Sequence, residues 1–425
     1  MVAKRIIVGK VCELNSETIG SSNPPQMIRY LDTGSITKNK IENIQLLDSR
    51  IEPFPSRAQR KVKKGTIIYS TVRPIQEHFG YLENPEENFI VSTGFLTLDV
   101  VDKELDPKFF YYCLTRKDLT NYLHNIAVNN VSSYPSINPD DLGSLELEIP
   151  ADKKVQQKIA AVLSSLDAKI ELNNRINVEL EALAKTLYDY WFVQFDFPFD
   201  PSASSGHRFA QGKPAEHGQP YKSSGGKMVW NEALKREIPA GWEVGELSDI
   251  ANITMGQSPP GKSYNEEGEG MIFFQGCTDF GNRFPTVRQF TTQPTRYAKE
   301  GDILLSVRAP VGTINIAKEN CCIGRGLAAL NSKDNCIAYI FGVMVNLKQI
   351  FDRRNVDGTT FGSITKNDLY SLKVMRPDKK ILEQYQKAIN PAFEKQNKIE
   401  LENQTLAELR DWLLPLLMNG QVTVR

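Results

Sequence analysis

The chain has 425 residues, of which 40% are hydrophobic and 24% charged, and its formal net charge is +0. Those values suit two or three globular domains with real cores. No run of eighteen apolar residues appears, which excludes a membrane-spanning helix, and a neutral total by itself argues against a nucleic-acid binder.

Cys12, Cys113, Cys277, Cys321, Cys322 and Cys336 form no C-x-x-C pair and no zinc-like spacing with the four histidines. They read as free thiols of a reducing cytoplasm, and the N-terminus lacks an apolar signal region.

In chain order, residues 1–150 form a first globular unit. A short strand-like run at 6–8 leads into a Ser/Asn/Pro-rich loop at 15–26. The β-branched and aromatic runs 66–72 and 89–100 predict strands. Residues 106–123 predict one helix with Asp106 as N-cap and Pro107 in the first turn. A loop at 132–137 precedes an alternating strand at 145–150.

Residues 151–193 then predict a long helix capped by Asp152. Its apolar seam runs through Val155, Ile159, Val162, Leu166, Ile176, Leu180, Leu183, Leu187 and Tyr190, with a polar break at Lys169 and Asn173. At about 39 residues it would be about 58 Å long. Residues 194–237, rich in Pro, Gly and Ser, predict an extended or poorly ordered connector. A second globular unit occupies 238–377 and a second long helix 378–420. The second seam is Tyr385, Ala388, Ala392, Ile399, Leu406, Leu409, Leu413 and Leu416, interrupted by Lys395 and Glu402.

The second half repeats the first. KGTIIYSTVRP at 64–74 answers EGDILLSVRAP at 300–310, and INPDDLGSLELEIP at 137–150 answers ITKNDLYSLKVMRP at 364–377. A period above two hundred residues is too long for a solenoid and means two whole domains, each followed by its own helix. Two similar helices, each with an unburied stripe, pair most simply with one another. The long connector favours antiparallel pairing.

Chemical motifs are weak by contrast. Asp32-Thr33-Gly34-Ser35 matches an aspartic-protease signature, yet the corresponding Gln275-Gly276-Cys277-Thr278 supplies no second carboxylate. Asn23-Pro24-Pro25-Gln26 lacks the aromatic that would stack on a flipped base. No P-loop or nucleophile elbow occurs. What recurs is polar and loop-borne. Ser70 and Arg73 match Ser306 and Arg308. Ser92-Thr93-Gly94 matches Gly324-Arg325-Gly326, and Ser132, Ser133 and Tyr134 match Thr359, Thr360 and Phe361. Arg60 and Lys63 in the first unit, with Arg283 and Arg296 in the second, lie in basic stretches compatible with phosphate contact. Hydroxyls, amides such as Gln275 and arginines on scaffolded loops suit phosphate and base-edge contacts.

ILLSVRAPVGTI (303–314), IGRGLAAL (323–330), GTTFGSITKNDLYSLKVMRP (358–377) and SSYPSINPDDLGSLELEIP (132–150) together carry a resemblance. So do Gln156-Gln157-Lys158-Ile159-Ala160, Trp191-Phe192-Val193 and Glu383-Gln384. The chain resembles the specificity subunit of type I restriction–modification systems. The resemblance implies two similar mixed α/β target-recognition domains separated by two long antiparallel coiled-coil helices. Each domain would read one half of a split, asymmetric double-stranded DNA site. The helices would set the gap and dock two methyltransferase subunits, joined by restriction/translocase subunits, through seam residues such as Ile159, Leu166, Leu180, Leu187, Leu406, Leu409 and Leu413. The chain itself would be non-catalytic, with S-adenosylmethionine, ATP and magnesium belonging to its partners. The other reading from the residues is an adaptor with two ligand-binding domains on a coiled-coil spacer. Salt-dependent binding to mixed DNA separates the two.

Overall fold

A computed structural model describes residues 2–20, 25–129, 135–199, 218–356 and 363–424, with side chains outside 349–356. The chain divides into two compact units, Met1–Ile170 with Thr405–Arg425, and Glu171–Gln404. These do not follow the sequence segments. Each unit takes one globular region together with a stretch of both long helices.

In the first unit, Cys12–Leu14, Phe95–Val100, Thr66–Ser70 and Phe79–Leu82 form one antiparallel sheet in that order. Every residue of Thr66–Ser70 is buried, as a continuous apolar run between two covered faces should be. A second sheet orders Gln45–Asp48, Met27–Leu31, Phe89–Ser92 and Ala58–Lys61, with Phe89–Ser92 parallel to Met27–Leu31. Ala3–Ile7 pairs with Glu146–Pro150 and closes the domain.

Two predicted elements are split. The run 89–100 is two strands, because at Thr93-Gly94 the chain leaves one sheet for the other. The predicted helix 106–123 is two helices, Pro107–Leu114 and Lys117–Asn129. Asp106 caps the first by accepting from Phe109 N at 2.8 Å. At the break the Thr115 hydroxyl donates to Tyr112 O at 3.3 Å, local bonding that competes with helix continuation.

The second unit repeats this plan. Ala251–Met255, Leu327–Ser332, Ile303–Ser306 and Ile314–Ile316 form one sheet. Tyr264–Asn265, Phe290–Thr291, Met271–Phe274, Cys321–Ile323 and Tyr297–Ala298 form the other, again with one parallel pair, Cys321–Ile323 on Met271–Phe274. Glu243–Glu246 pairs with Lys373–Arg376.

The connector is less extended than its composition implies. Phe195, Phe197, Phe199 and Tyr221 are buried, and Phe197 stacks on Tyr221 at 4.8 Å and on Trp242 at 5.1 Å between centroids. The alternation in Phe195-Asp196-Phe197-Pro198-Phe199 was the signal, masked by the surrounding Gly and Ser.

The long helices are Lys153–Tyr188, of 36 residues and prolonged by a π turn at Asp189–Val193, and Lys379–Met418, of 40 residues. Each unit shows them antiparallel. In the first, Arg410 Nη1 donates to Asp167 Oδ1 at 2.9 Å, while Leu163 shares a core with Leu414 and Leu417. In the second, Asn173 bonds Asn403 and Tyr188 packs on Tyr385.

Among the named seam positions Ile159 is buried, and Leu166, Leu180, Leu187, Leu406 and Leu413 are half-buried. Leu409 and Leu183 are exposed and do not lie in the seam. Its centre instead holds Asn173, Gln396 and Asn403, all buried. Asn173 Nδ2 donates to Asn403 Oδ1 and to Glu402 Oε2 at 2.9 Å each, and Asn403 Nδ2 donates to Asn174 Oδ1 at 3.0 Å. Lys169 and Lys395, the other polar seam positions, face solvent. No helix among the described residues is long and apolar enough to cross a membrane.

Candidate nucleic-acid interface

Of the residues singled out, Lys63 and Arg283 lie apart, while Ser70, Arg73, Ser306, Arg308, Gln275 and Arg325 lie at one end of their domains. There the strand ending at Ser70 or Ser306 meets the crossover at 92–94 or 324–326. Backbone bonds fix the correspondence. Thr71 N donates to Gly94 O and Ile137 N to Thr71 O, both at 2.9 Å. Val307 N donates to Gly326 O at 2.9 Å and Ile364 N to Val307 O at 2.8 Å. Val72 bridges Ser136 as Arg308 bridges Ser363. Arg308 therefore corresponds to Val72, and Arg73 to Ala309. The expected Arg73–Arg308 match is off by one residue, although both arginines are exposed at this end. Arg73 has left-handed backbone (φ 48°) where the chain turns into Pro74–Gln76.

Ser70 and Ser306 do correspond, but they are not at the surface. Both are buried. Ser70 Oγ donates to Val72 O at 3.0 Å, and Ser306 Oγ lies 2.7 Å from Arg308 O and 2.6 Å from Pro310 O. They hold the turn that presents the next residue. Another pair keeps its bond while exchanging its chemistry. Thr66 Oγ1 donates to Asp99 Oδ1 at 2.6 Å, whereas Asn331 Nδ2 donates to Asp302 Oδ1 at 3.1 Å. The carboxylate has changed strands.

Arg60 and Arg296 are true counterparts on the edge strand, facing Val91 and Ile323 respectively. Arg296 is exposed. Arg60 is half-buried, its Nε has no hydrogen-bond partner among the described residues, and burial lowers its pKa. Lys63 is exposed beside Asp99, with Nζ–Oδ2 at 3.4 Å, so its charge is partly committed to the scaffold.

Arg283 departs most from the expectation. It is 6% exposed, its Nε donates to Asn397 Oδ1 at 2.5 Å, and its guanidinium lies 4.3 Å from the centre of the Phe393 ring. Burial pulls its pKa down to about 10, against the pull of Glu181 and Glu400. It fastens the second domain to its helix and is not free to touch a ligand. The aromatic partners, Phe341 and Phe393, are too distant in sequence for a charge pattern to reveal this.

Around Gln275 the backbone is unusually close. A Cβ on Gly256 would meet Gly324 O at 2.1 Å, and one on Gly326 would meet Gln275 O at 2.7 Å. Glycines let three segments cross there, and they present Ser258, Gln275 and Arg325 side by side. Gln275 and Arg325 are exposed, and Gln275 Nε2 donates to Ser258 Oγ at 2.9 Å. Ser258 was not anticipated; its only signal was a Gly-Gln-Ser-Pro-Pro loop. In the first domain Asp32 and Thr93 stand where Gln275 and Arg325 stand in the second. Ser132, Ser133, Tyr134, Thr359 and Thr360 lie outside the described residues.

The sequence model of the type I restriction modification DNA specificity domain matches the chain twice, over residues 8–182 and 239–411. The type I restriction enzyme HindI specificity subunit of Haemophilus influenzae is 26% identical over 439 residues, covering 92% of this chain and 94% of that protein. The MjaIX specificity subunit of Methanocaldococcus jannaschii is 26% identical over 438 residues, covering 96% and 91%. The solved structure of the type I restriction-modification S subunit from M. genitalium shares the fold, with a TM-score of 0.54 at 18% identity over 98% of this chain and 96% of that one. With both halves matched by one family and the fold shared, the chain belongs to the type I restriction modification DNA specificity family.

Proposed function

We propose that this chain is the DNA-reading subunit of a type I restriction–modification complex, each globular domain reading one half of a bipartite, asymmetric target. The observation that carries the reading is the duplicated end described above, where one backbone frame presents two different sets of exposed polar side chains. A frame kept constant under variable side chains is what two readers of different sequences require. On this reading Arg308, Arg325 and Arg296 in the second domain, and Arg60 and Arg73 in the first, are the cations assigned to phosphate or base edges.

The helices serve as spacer and docking surface for two methyltransferase subunits, with restriction/translocase subunits completing the assembly. Methyl donor, ATP and magnesium are assigned to those partners, and this chain has no catalytic role. The complex acts in the cytoplasm, where buried free thiols such as Cys113 and Cys321 stay reduced.

The spacer role is tested by lengthening the helices in register. One heptad is inserted between Asp167 and Asn173, and another between Asn403 and Arg410. The pair grows by about 10.5 Å at 1.5 Å per residue. With two strands at one charge per about 1.7 Å, that is about three base pairs. A methylation-site survey should return both original half-sites with a gap longer by about three base pairs. Recovery of the original gap from the active variant would contradict the spacer role.

A further inference from the structure

The two domains differ at the reading end in a set of residues that change together. In the first, Asp32 follows the strand Met27–Leu31. Tyr30 Oη donates to Asp32 Oδ1 at 3.2 Å. The tyrosyl hydroxyl orients the carboxylate and leaves Oδ2 to accept from outside. In the second domain Phe273, Gly324 and Gln275 stand where Tyr30, Ser92 and Asp32 stand in the first. The supporting hydroxyl is gone, since Phe273 has none. A serine at 324 would not fit, since a Cβ there would lie 2.7 Å from Gln275 Oε1 and 2.9 Å from its Cα.

Support comes instead from the side. The Ser258 hydroxyl takes the Gln275 amide at 2.9 Å and Arg325 Nε at 3.3 Å. Arg325 is exposed and makes no ion pair among the described residues, so the terminal nitrogens of its guanidinium remain available as donors.

An ionised carboxylate only accepts hydrogen bonds and a guanidinium only donates them. A carboxylate is also repelled by phosphate, so at a DNA-reading end it belongs over a base edge and not over the backbone. In the major groove the cytosine N4 amino group is the donor that carboxylates take. Purine N7 and O6 or N6 edges are what arginine and glutamine take in bidentate fashion. Resting on the DNA-reading role proposed above, we infer that the two domains read bases of opposite hydrogen-bond sense at corresponding points. Asp32 accepts from a cytosine of the first half-site. Arg325 and Gln275 donate to a purine of the second.

The test uses the full-length chain in the complex it forms with its partner subunits, challenged with a pool of duplexes of randomised sequence, and the bound duplexes are sequenced. Wild type should yield two half-sites. Asp32→Asn should relax one cytosine in the first half-site, its preference falling about 5- to 150-fold, and leave the second half-site untouched. Asp32→Glu, which keeps an acceptor, should keep the cytosine. Arg325→Gln should relax one purine in the second half-site by a similar factor and spare the first, so each unaltered half reports that the variant is folded. Equal weakening of all sequences with every base preference intact overturns the inference while leaving DNA reading in place. Loss of both half-sites in either single variant also overturns it. A wild-type complex that selects no bipartite sequence would sink the DNA-reading role itself.

Discussion

Within their sheets the two domains keep a hydrogen bond while exchanging its partners, whereas at the reading end they change the hydrogen-bond sense of what they present. Thr66–Asp99 becomes Asp302–Asn331 and a hydrogen bond survives, because a buried polar group left unpaired costs about 1–3 kcal/mol. At the reading end the sense of what is presented changes: Val72 becomes the exposed Arg308, and the acceptor Asp32 becomes Gln275 beside Arg325, each set with its own supporting hydroxyl, Tyr30 in one domain and Ser258 in the other. The contrast separates residues that maintain the frame from residues that vary on it, without reference to any other sequence.

The comparison is most sharply broken at Arg283, a cation that would count as a reader by composition and as frame by burial. Arg283→Ala should destabilise the second unit by about 3–5 kcal/mol, since Asn397 loses its donor and Glu400 its neighbouring cation. Urea unfolding of the full chain measures this, and a loss of DNA affinity at unchanged stability would return Arg283 to the readers.

Next in size is Asp99→Ala. It removes the acceptor of Thr66 and Ser16, both at 2.6 Å, and should cost about 2–3 kcal/mol. The double change Thr66→Asp with Asp99→Asn rebuilds the second domain's arrangement in the first and should recover most of that loss. If the double variant is as unstable as the single one, the compensation argument fails.

Arg308→Ala should leave unfolding unchanged and weaken binding by about 1–3 kcal/mol. The loss falls on one base pair of the second half-site if Arg308 reads a base, and on all sequences alike, with a flatter salt dependence, if it meets phosphate. Unchanged affinity would leave it a merely exposed arginine.

The smallest effect is at the helix seam. Asn173→Leu with Asn403→Leu should leave stability equal or raised by up to about 1 kcal/mol, since a seam asparagine sets register at a cost in stability. The variant should blur the gap between half-sites. A single sharp gap would show that the asparagines do not fix the register.

Much of the frame was legible in the sequence. The repeated Gly-x-Ile run at 65–67 and 301–303 and the Asp-Leu-x-Ser-Leu motif marked two copies of one fold, and Asp106 announced its helix. The reading end was legible only in part. Arg60, Arg296, Arg308, Arg325 and Gln275 were named, yet pairing Arg73 with Arg308 followed residue identity where the backbone bonds run through Val72. Ser70 and Ser306 read as surface hydroxyls because a predicted strand does not tell that its last hydroxyl turns back to its own backbone, at Val72 O and Arg308 O. The helix seam was displaced for a similar reason. Apolar periodicity pointed to Leu183 and Leu409, which are 55% and 39% exposed, while buried amides hold the true centre. A periodicity that counts only apolar residues cannot see a polar seam.

The central claim, that two independent readers share one frame, is tested most directly by exchanging residues 1–150 for the first domain of another family member. The chimera is assembled with the native partners and its methylated sites are mapped at base resolution. One half of the target should change, and the other half and the gap between them should stay as they were. A change in both halves, or in neither, would contradict the account.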